Sequence, residues 1–441
     1  MGTMPVNKLL LSMSIPMMIS MLVQALYNIV DSIFVSQISE DAFTAVSLVF
    51  PIQNLMIAVG VGVGVGMNAL ISKSLGQQNY KRADKLAMQG LLLNLISFVI
   101  FFIVGVSMPT LFMSTQTDSK VILEYGKQYF EICLAMSFGL FLELTFEKML
   151  QATGRTVLSM IVQGVGAVIN IILDPILILG LYGAPRLEVA GAAYATVIGQ
   201  TVAGLLGLVL NIKYNKELRI KLSNLAPNFL EIKDILFIGV PSILMASIGS
   251  VMTLCMNKIL MGFSKTAVAV FGAYFKLQSF VFMPVFGLNN GMIPIVAYNY
   301  GARRKERMHS TIKYAVIYAV AIMLLGLLLC QVIPDKLLGI FEPSKAMLDI
   351  GTVALPIISL SFIFAGFSIV ASSVFQALGK SIYSLFLSLG RQLVVLIPFA
   401  FLMSLTGKIE FVWLSFPAAE IMSVILATVF LRRLLKNLDW K

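Results

Sequence analysis

The first half of this 441-residue chain recurs in its second half at one fixed offset, here called the repeat offset. Pro16 returns as Pro241, and Gln53 returns as Gln278. The same offset relates Gly62 to Gly287, Gly66 to Gly291, Gly76 to Gly301, Gln151 to Gln376, Gly154 to Gly379 and Ser159 to Ser384. A frame that holds without a gap from residue 16 to residue 384 indicates a duplicated unit, and duplicated halves are typical of membrane carriers.

The composition places both copies in a lipid bilayer. Hydrophobic residues make up 59% of the chain and charged residues only 12%, which is about half the charged share of a soluble domain. Apolar stretches of roughly 18 to 25 residues recur along the whole length, and each is long enough to cross a hydrocarbon core of about 30 Å. We therefore predict an all-α, multi-pass integral protein of the plasma membrane, which is the inner membrane in a cell that has two.

Twelve transmembrane helices are predicted, six in each copy. They cover residues 13–37, 46–72, 87–108, 128–152, 157–181, 189–212, 235–261, 268–298, 311–333, 350–377, 382–405 and 411–434. Because six is an even number, both copies enter the membrane in the same direction and form parallel repeats. The predicted domains are an N-terminal lobe at 1–212, a cytoplasmic linker at 213–234 and a C-terminal lobe at 235–441.

The formal net charge of +11 has two readings, a nucleic-acid partner or basic cytoplasmic loops. Lys and Arg concentrate in the linker and after spans 2, 8 and 12, whereas the alternate loops carry fewer of them. This asymmetry predicts that both termini face the cytoplasm. We expect a monomer in the bilayer and no nucleic-acid partner.

Polar residues within the spans require a physical explanation, because a charged group at mid-membrane costs about 2.5–3.5 kcal/mol even on the lenient insertion scale. Span 1 carries one polar stripe at helical spacing, formed by Gln24, Tyr27, Asn28 and Asp31. Span 5 repeats the pattern with Gln163, Asn170, Asp174 and the adjacent Pro175, and span 4 carries Glu143, Glu147 and Gln151. Span 6 adds Thr196 and Gln200.

Two aspartates with amide and hydroxyl oxygens form a hard-oxygen site. Such a site suits a proton, which a desolvated carboxylate binds more readily, and it equally suits sodium, which prefers oxygen ligands. The alternative is that Asp31 and Asp174 pair with lysines or tie helices together. The repeat offset maps Asp31 to Met256 and Asp174 to Phe399, so the acids are not duplicated with the fold. That asymmetry favours a dedicated cation site.

The second copy carries cations within its spans, namely Lys258, Lys276 and Arg391, while Glu420 lies in span 12. Lys276 either pairs with an acid of the first lobe or extends towards an interface. Met252 and Met256 of span 7 are flexible apolar side chains that suit a cavity for varied molecules, although ordinary packing is the simpler explanation. The alternating glycines Gly60, Gly62, Gly64 and Gly66 predict tight helix packing rather than a nucleotide-binding loop.

Together these residues resemble the multidrug and toxic compound extrusion (MATE) family, and in particular its DinF/MepA-like branch. The resemblance rests on Pro16 to Asp31, Gly62-x-Gly64-x-Gly66, Gln151-Ala152-x-Gly154-Arg155, Asn170 to Pro175, and Gly191 to Thr196. It implies a twelve-helix, two-lobed antiporter that expels drugs in exchange for protons or sodium ions. Another branch has acids in spans 7 and 10 of the second lobe, and this chain has none inside those spans.

The resemblance implies four ion-coupling residues, carried over by motif, namely Asp31, Asn170, Asp174 and Thr196. The same four residues are the metal ligands if sodium is the coupling ion. The expected hinges are Pro16, where the family's first span is thought to bend, and Pro175. The expected substrate-binding residues are Gln24, Tyr27, Asn28, Glu143, Glu147, Gln163, Lys276, Met252 and Met256.

The leading prediction is a secondary antiporter that exports amphipathic, cationic drugs or toxic metabolites, and the alternative is a lipid-linked oligosaccharide flippase of the related superfamily. Lys276 and Arg391 keep that alternative open, since a pyrophosphate headgroup requires cations. The three cysteines lie in separate spans, and the sequence has no cluster of histidines, metal ligands or nucleophile with base. We therefore expect no enzymatic activity and no cofactor besides the coupling ion.

Overall fold

The computed structural model describes residues 1–341 and 343–438, and the described part is helical throughout, without strands. Lys441, the predicted end of the C-terminal lobe, lies outside the described residues. The helices of the first copy are α1 (Val6–Ser36), α2 (Glu40–Gly76), α3 (Tyr80–Ser107), α4 (Pro109–Ser114), α5 (Lys120–Ala135), α6 (Phe138–Ala152), α7 (Thr156–Leu179) and α8 (Glu188–Tyr214). Those of the second copy are α9 (Phe229–Met261), α10 (Lys265–Gly301), α11 (Lys305–Val332), α12 (Pro334–Gly339), α13 (Lys345–Ser359), α14 (Ser361–Ala377), α15 (Ser381–Leu389), a π-helical segment (Gly390–Leu396), α16 (Ile397–Ser404), α17 (Ile409–Trp413) and α18 (Ser415–Lys436).

The predicted fold class of an all-α membrane protein with up to twelve spans is confirmed. Within the described residues, ten helices or joined helices are long and apolar enough to cross a bilayer, and two bent pairs bring the number to twelve. The bent pairs are α5 with α6, at 45°, and α13 with α14, at 46°. The sequence predicted one span for each pair, at 128–152 and 350–377, and the structure divides each into two helices that meet at a bend.

The repeat also fixes where individual helices begin and end. Helices α2 and α10 begin and end at positions related by the repeat offset, and so do α3 with α11 and the short helices α4 with α12. The bent pairs correspond as well, since α5 begins at Lys120 and α13 at Lys345. The duplication seen in the sequence is therefore a duplication of helical structure. The predicted cytoplasmic position of both termini remains a prediction.

The described chain forms two compact units. The first, here called the N-terminal unit, is Ile19–Ile243. The second, the C-terminal unit, consists of Met1–Met18 with the described residues from Leu244 onward. Both boundaries fall inside helices, in α1 and in α9, at positions that the repeat offset again relates. The predicted lobe boundaries around the linker follow the sequence repeat and stay a prediction.

Close packing within the N-terminal unit depends on the glycines of α2. A Cβ atom at Gly62 would lie 2.9 Å from the carbonyl oxygen of Gly239, and one at Gly66 would overlap the carbonyl oxygen of Ile235. The start of α9 therefore lies directly against the backbone of α2. This confirms the prediction that the alternating glycines permit tight helix packing.

The C-terminal unit repeats this arrangement with the start of α1 and the glycines of α10. A Cβ atom at Gly287 would lie 2.5 Å from Cα of Met18, and one at Gly291 would lie 2.8 Å from Cα of Ser14. The hydroxyl group of Ser14 donates a hydrogen bond to the carbonyl oxygen of Leu288 at 3.2 Å. The start of α9, which begins the second repeat, therefore packs into the N-terminal unit. The start of α1, which begins the first repeat, packs into the C-terminal unit.

The predicted linker is bound along its length to α3 in the N-terminal unit. Nε2 of Gln89 donates hydrogen bonds to the carbonyl oxygens of Asn224 and Ala226, at 2.8 and 2.9 Å. Arg82 forms ion pairs with Glu231 at 3.2 Å and Asp234 at 2.7 Å. This segment is therefore an ordered part of the N-terminal unit rather than a loose connection.

Arg307, the counterpart of Arg82 at the repeat offset, binds the start of the chain in the C-terminal unit. Its Nη2 atom donates hydrogen bonds to the carbonyl oxygens of Met1 and Met4, at 3.1 and 2.7 Å. In both units an arginine at the start of the third helix of a repeat therefore anchors either the first turns of α9 or the segment that leads into α1. The partners differ, because Arg82 binds carboxylates and Arg307 binds backbone carbonyls.

Candidate ion and substrate site

Asp174 is the least solvent-exposed acid of the predicted site. Its side chain lies in α7, is 0% exposed, and both of its carboxylate oxygens lack a hydrogen-bond donor among the described residues. Pro175 follows it without breaking α7, and its missing N–H leaves the carbonyl of Ile171 without the usual helical donor. A buried carboxylate with no partner is costly unless a proton or cation joins it.

Asn170, one helical turn before Asp174, links α7 to α8. Its Nδ2 atom donates a hydrogen bond to Oγ1 of Thr196 at 3.2 Å, while its buried Oδ1 atom accepts none from a described residue. The two helices approach closely at this level, since a Cβ atom on Gly199 would lie 2.7 Å from the carbonyl oxygen of Gly166. Glycines at the crossing therefore allow Asn170 and Thr196 to meet.

Asp31 brings the second carboxylate from α1 to the same region of the N-terminal unit. It is half-buried and lies within electrostatic range of Asp174, and its Oδ1 atom is buried without a hydrogen-bond partner in the described chain. Tyr129 and Cys133 of α5 also lie within electrostatic range of Asp31. Sequence reasoning missed these two residues, because their spacing of four within α5 only becomes informative once α5 is known to face α1.

The polar stripe of α1 continues from Asp31 towards α6 and α7. Tyr27 lies within electrostatic range of Asp31, Asp174 and Glu143, and Gln24 accepts a hydrogen bond at Oε1 from Nε2 of Gln163 at 3.4 Å. Asn28 is exposed. The structure therefore brings most of the predicted stripe together with residues of spans 4 and 5.

A second polar network occupies α6. Nε2 of Gln151 donates to Oε1 of Glu147 at 2.6 Å and to the hydroxyl oxygen of Ser159 at 3.0 Å. Oε1 of the same glutamine accepts a hydrogen bond from Nζ of Lys148 at 2.9 Å. Lys148 and Glu147 are only 5% and 6% exposed, respectively. Lys148 was not predicted from the sequence, although a lysine within an apolar span is the same signal that identified Glu147.

Glu143 lies one helical turn before Glu147. It is half-buried and within electrostatic range of both Glu147 and Tyr27. Its carboxylate accepts no hydrogen bond from a residue that the structure describes, and its Oε1 atom lies 3.6 Å from where a Cβ atom of Gly166 would be. Glu143 therefore borders the crossing of α7 and α8 that also holds Asn170.

The remaining predicted substrate residues belong to the C-terminal unit. Met252 and Met256 lie in its hydrophobic core, 8% and 0% exposed, where they pack against other apolar side chains. Lys276 is exposed, and its Nζ atom lies 5.9 Å from the centre of the Phe341 ring. Contact of these three residues with substrate, and pairing of Lys276 with an acid of the first lobe, stay predictions.

Arg391 and Glu420 form an ion pair in the C-terminal unit. Nη1 of Arg391, in the π-helical segment, lies 2.8 Å from Oε1 of Glu420 in α18. Their pairing was not predicted from the sequence, because they lie in different spans and only the packing of α18 against the π-helical segment brings them together.

The unsatisfied oxygens of Asp31, Asn170 and Asp174 suit a proton or a small hard cation. Across residues 1–341 and 343–438, no group of three or more His, Cys, Asp or Glu side chains could hold a metal ion. The candidate donors are instead two carboxylates, one amide and one hydroxyl group, which is an oxygen-only set. Pro16 and Pro175 both lie inside continuous helices, so their role as hinges is a prediction.

These features define the class of the protein: a multi-span helical membrane transporter with two structural repeats and a carboxylate site in one of them. The chain belongs to the MATE family, because the MatE family model matches residues 16–176 and again residues 241–402. The two matched segments begin at Pro16 and Pro241, the pair that first revealed the repeat offset. The predicted family is thereby confirmed.

Similar proteins cover almost the whole chain. The multidrug export protein MepA of Staphylococcus haemolyticus is 28% identical over 407 residues, covering 92% of this chain and 89% of the relative. MepA of Staphylococcus aureus is 26% identical over 411 residues, covering 93% and 90%. Another member with the same name and similar coverage comes from Staphylococcus saprophyticus.

Solved structures show the same fold. An outward-facing multidrug resistance MATE transporter of the MOP superfamily has a TM-score of 0.92 and 28% identity, covering 98% of this chain and 96% of its own. A MOP superfamily transporter from Pyrococcus furiosus, whose binding pocket is described as having reverse polarity that suggests a different function, also has a TM-score of 0.92. It is 26% identical and covers the same shares of the two chains.

Proposed function

We propose that this chain is a secondary active antiporter that exports amphipathic, cationic drugs or toxic metabolites in exchange for protons or sodium ions. Family membership and the similarity to proteins named for multidrug export support the export of drugs. The observation that carries the coupling mechanism is Asp174, which is fully buried with two unsatisfied carboxylate oxygens and lies in electrostatic range of Asp31.

In the proposed cycle, a proton or sodium ion joins Asp31 and Asp174 and relieves the repulsion between them. Oδ1 of Asn170 supplies a neutral oxygen to the ion, and the hydrogen bond from Asn170 to Thr196 fixes the direction of that amide. A cationic substrate lowers the same electrostatic cost, so substrate and ion exclude each other. Because each ligand prefers one of two access states, exchange of one for the other drives alternating access.

The number of ions decides which gradient drives export. Exchange of one monovalent cation for one ion moves no net charge, and only the ion's concentration gradient acts. With two ions, each 100 mV of membrane potential adds about 2.3 kcal/mol. That energy corresponds to about a 50-fold substrate gradient.

The test is substrate uptake into everted vesicles that contain Asp31→Asn or Asp174→Asn. We expect each variant to lose ion-driven uptake and to keep its fold, because an amide preserves the shape of the carboxylate and removes its charge. Uptake at the wild-type rate in both variants under an imposed ion gradient would refute the coupling mechanism. Independent variation of the pH and sodium gradients then identifies the coupling ion.

The second candidate, a flippase for lipid-linked oligosaccharides, requires free cations for a pyrophosphate group. Arg391, one of the two cations that favoured it, is paired with Glu420 at 2.8 Å. Lys276 remains exposed. The loss of one available cation favours the antiporter.

A further inference from the structure

Lys148 is a buried cation among the acids of the N-terminal unit, and neither the family match nor the ion site explains it. It is 5% exposed and adjacent to Glu147, which is 6% exposed. Gln151, which is 0% exposed, joins the two by accepting from Nζ of Lys148 at 2.9 Å and donating to Oε1 of Glu147 at 2.6 Å. The amide of Gln151 therefore joins Lys148 to Glu147, which lies within electrostatic range of the lysine.

The space for this lysine is specific to the first repeat. A Cβ atom on Gly64 would lie 2.8 Å from Cγ of Lys148, so the glycine leaves room for the stem of the side chain. At the repeat offset, Gly64 corresponds to Asn289 and Lys148 to Ser373. Both members of the contact are therefore absent from the second repeat.

The charged residues of α6 also occur only in the first repeat, whereas the uncharged polar residues of the same network occur in both repeats. Gln151 and Ser159 return as Gln376 and Ser384. Glu143, Glu147 and Lys148 correspond instead to Ser368, Ser372 and Ser373. A scaffold needed for folding is expected in both repeats, so the added charges point to a task that only the first repeat performs.

We infer that Lys148 lowers the charge of the transported substrate: by neutralising Glu147 it leaves Glu143 as the single negative charge of α6, which favours a monocation over a dication. This inference rests on the proposed export of cations. Glu143 accepts no hydrogen bond from a described residue, so its carboxylate is available to a ligand. Asp31 and Asp174 contribute the same charge to the wild type and to every Lys148 variant, so a change in the preferred substrate charge reports the charge of α6 alone.

A second positive charge on the substrate has no partner on α6. In a region of low dielectric constant, an unpaired charge is strongly disfavoured, and the nearby ammonium group of Lys148 repels it as well. Removal of the Lys148 charge exposes the charge of Glu147. Helix α6 then carries two negative charges and favours a dication.

The test uses the full chain in proteoliposomes under an imposed ion gradient, with tetraphenylphosphonium as the monocation and an alkyl-bridged bis-triphenylphosphonium as the dication. The measured quantity is the ratio of kcat/KM for the dication to that for the monocation. We expect Lys148→Met to raise this ratio at least tenfold, and Lys148→Arg to leave it within twofold of the wild type. The double variant Glu147→Gln with Lys148→Met restores one net negative charge and returns the ratio to the wild-type value.

Lys258→Met is the control, because Lys258 is an exposed lysine in the part of α9 that belongs to the C-terminal unit, and its ratio should stay unchanged. If Lys148→Met does not fold, Glu147→Gln takes its place. That variant leaves Lys148 unpaired beside Glu143, and tetraphenylphosphonium binding should weaken at least tenfold. An unchanged ratio in folded Lys148→Met, or unchanged binding in Glu147→Gln, would overturn the inference.

Equilibrium binding of both probes to the purified protein separates this inference from the proposed function. If the wild type exports neither probe under any ion gradient, the antiport proposal fails. The binding ratio of the two probes still tests Lys148 in that case. If export proceeds and the Lys148 variants do not change the ratio, the charge-selection inference alone fails.

Discussion

Asn170 donates a hydrogen bond to Thr196 at 3.2 Å, and its own carbonyl oxygen is buried without a donor within the described chain. The amide is therefore held by one end and unsatisfied at the other. The unsatisfied oxygen lies one helical turn from Asp174, whose two carboxylate oxygens also lack donors among the residues described. Asn94 has the same arrangement, because its Nδ2 atom donates to Thr145 at 2.7 Å and its Oδ1 atom is buried without a described donor. The unsatisfied carboxylate of Asp174 one turn away is therefore what sets Asn170 apart.

We expect Asn170→Ala to weaken the apparent affinity for the coupling ion about tenfold, since a hydrogen-bonding ligand group contributes about 1.5 kcal/mol. The measurement is transport rate as a function of ion concentration. The matched control is Asn94→Ala, because Asn94 forms the same kind of bond with Thr145, at 2.7 Å. An equal loss of ion affinity in both variants would show that Asn170 acts only through helix packing.

We expect Gly199→Ala to lower the stability of the N-terminal unit by about 1–3 kcal/mol, the usual cost of overpacking. Its new Cβ atom would lie 2.7 Å from the backbone oxygen of Gly166, which cannot move aside without shifting α7. Thermal unfolding in detergent measures the change. Gly164→Ala in α7 is the control, because a Cβ atom there has no neighbour within 4 Å, and its effect should stay within about 0.5 kcal/mol. Similar losses in the two variants would contradict the close crossing of α7 and α8.

The pair of Arg391 and Glu420 should behave as a coupled unit. Arg391→Met leaves the carboxylate of Glu420 without its partner in a region where that side chain is 11% exposed, and we expect a loss on the order of 3 kcal/mol. The double variant with Glu420→Leu removes both charges and should recover most of that loss. A double-mutant cycle of unfolding midpoints measures the coupling, and additive effects would argue against the pair. Glu410→Gln, at an exposed position, serves as the control with little expected change.

Much of this protein follows from patterns that are local in sequence. The repeat offset predicted parallel repeats, and the lengths of the apolar stretches predicted the spans. The spacing of Gln24, Tyr27 and Asp31 predicted one polar face on α1. Each span and each polar face needs only the geometry of a single helix, which the order of residues determines.

The packing of helices decided the partners of the buried polar groups, because each partner depends on how neighbouring helices are rotated and spaced. Lys148 and Glu147 are adjacent in sequence, yet only the fold shows that Gln151 joins them and that Gly64 leaves room for the lysine. Helix packing likewise brings Arg391 and Glu420 together from two spans, and it leaves the oxygens of Asp174 unsatisfied within the described chain. The sequence alone determined which polar groups lie in the predicted spans, and the tertiary structure decided which of them have hydrogen-bond or ion-pair partners and which lack them within the described chain.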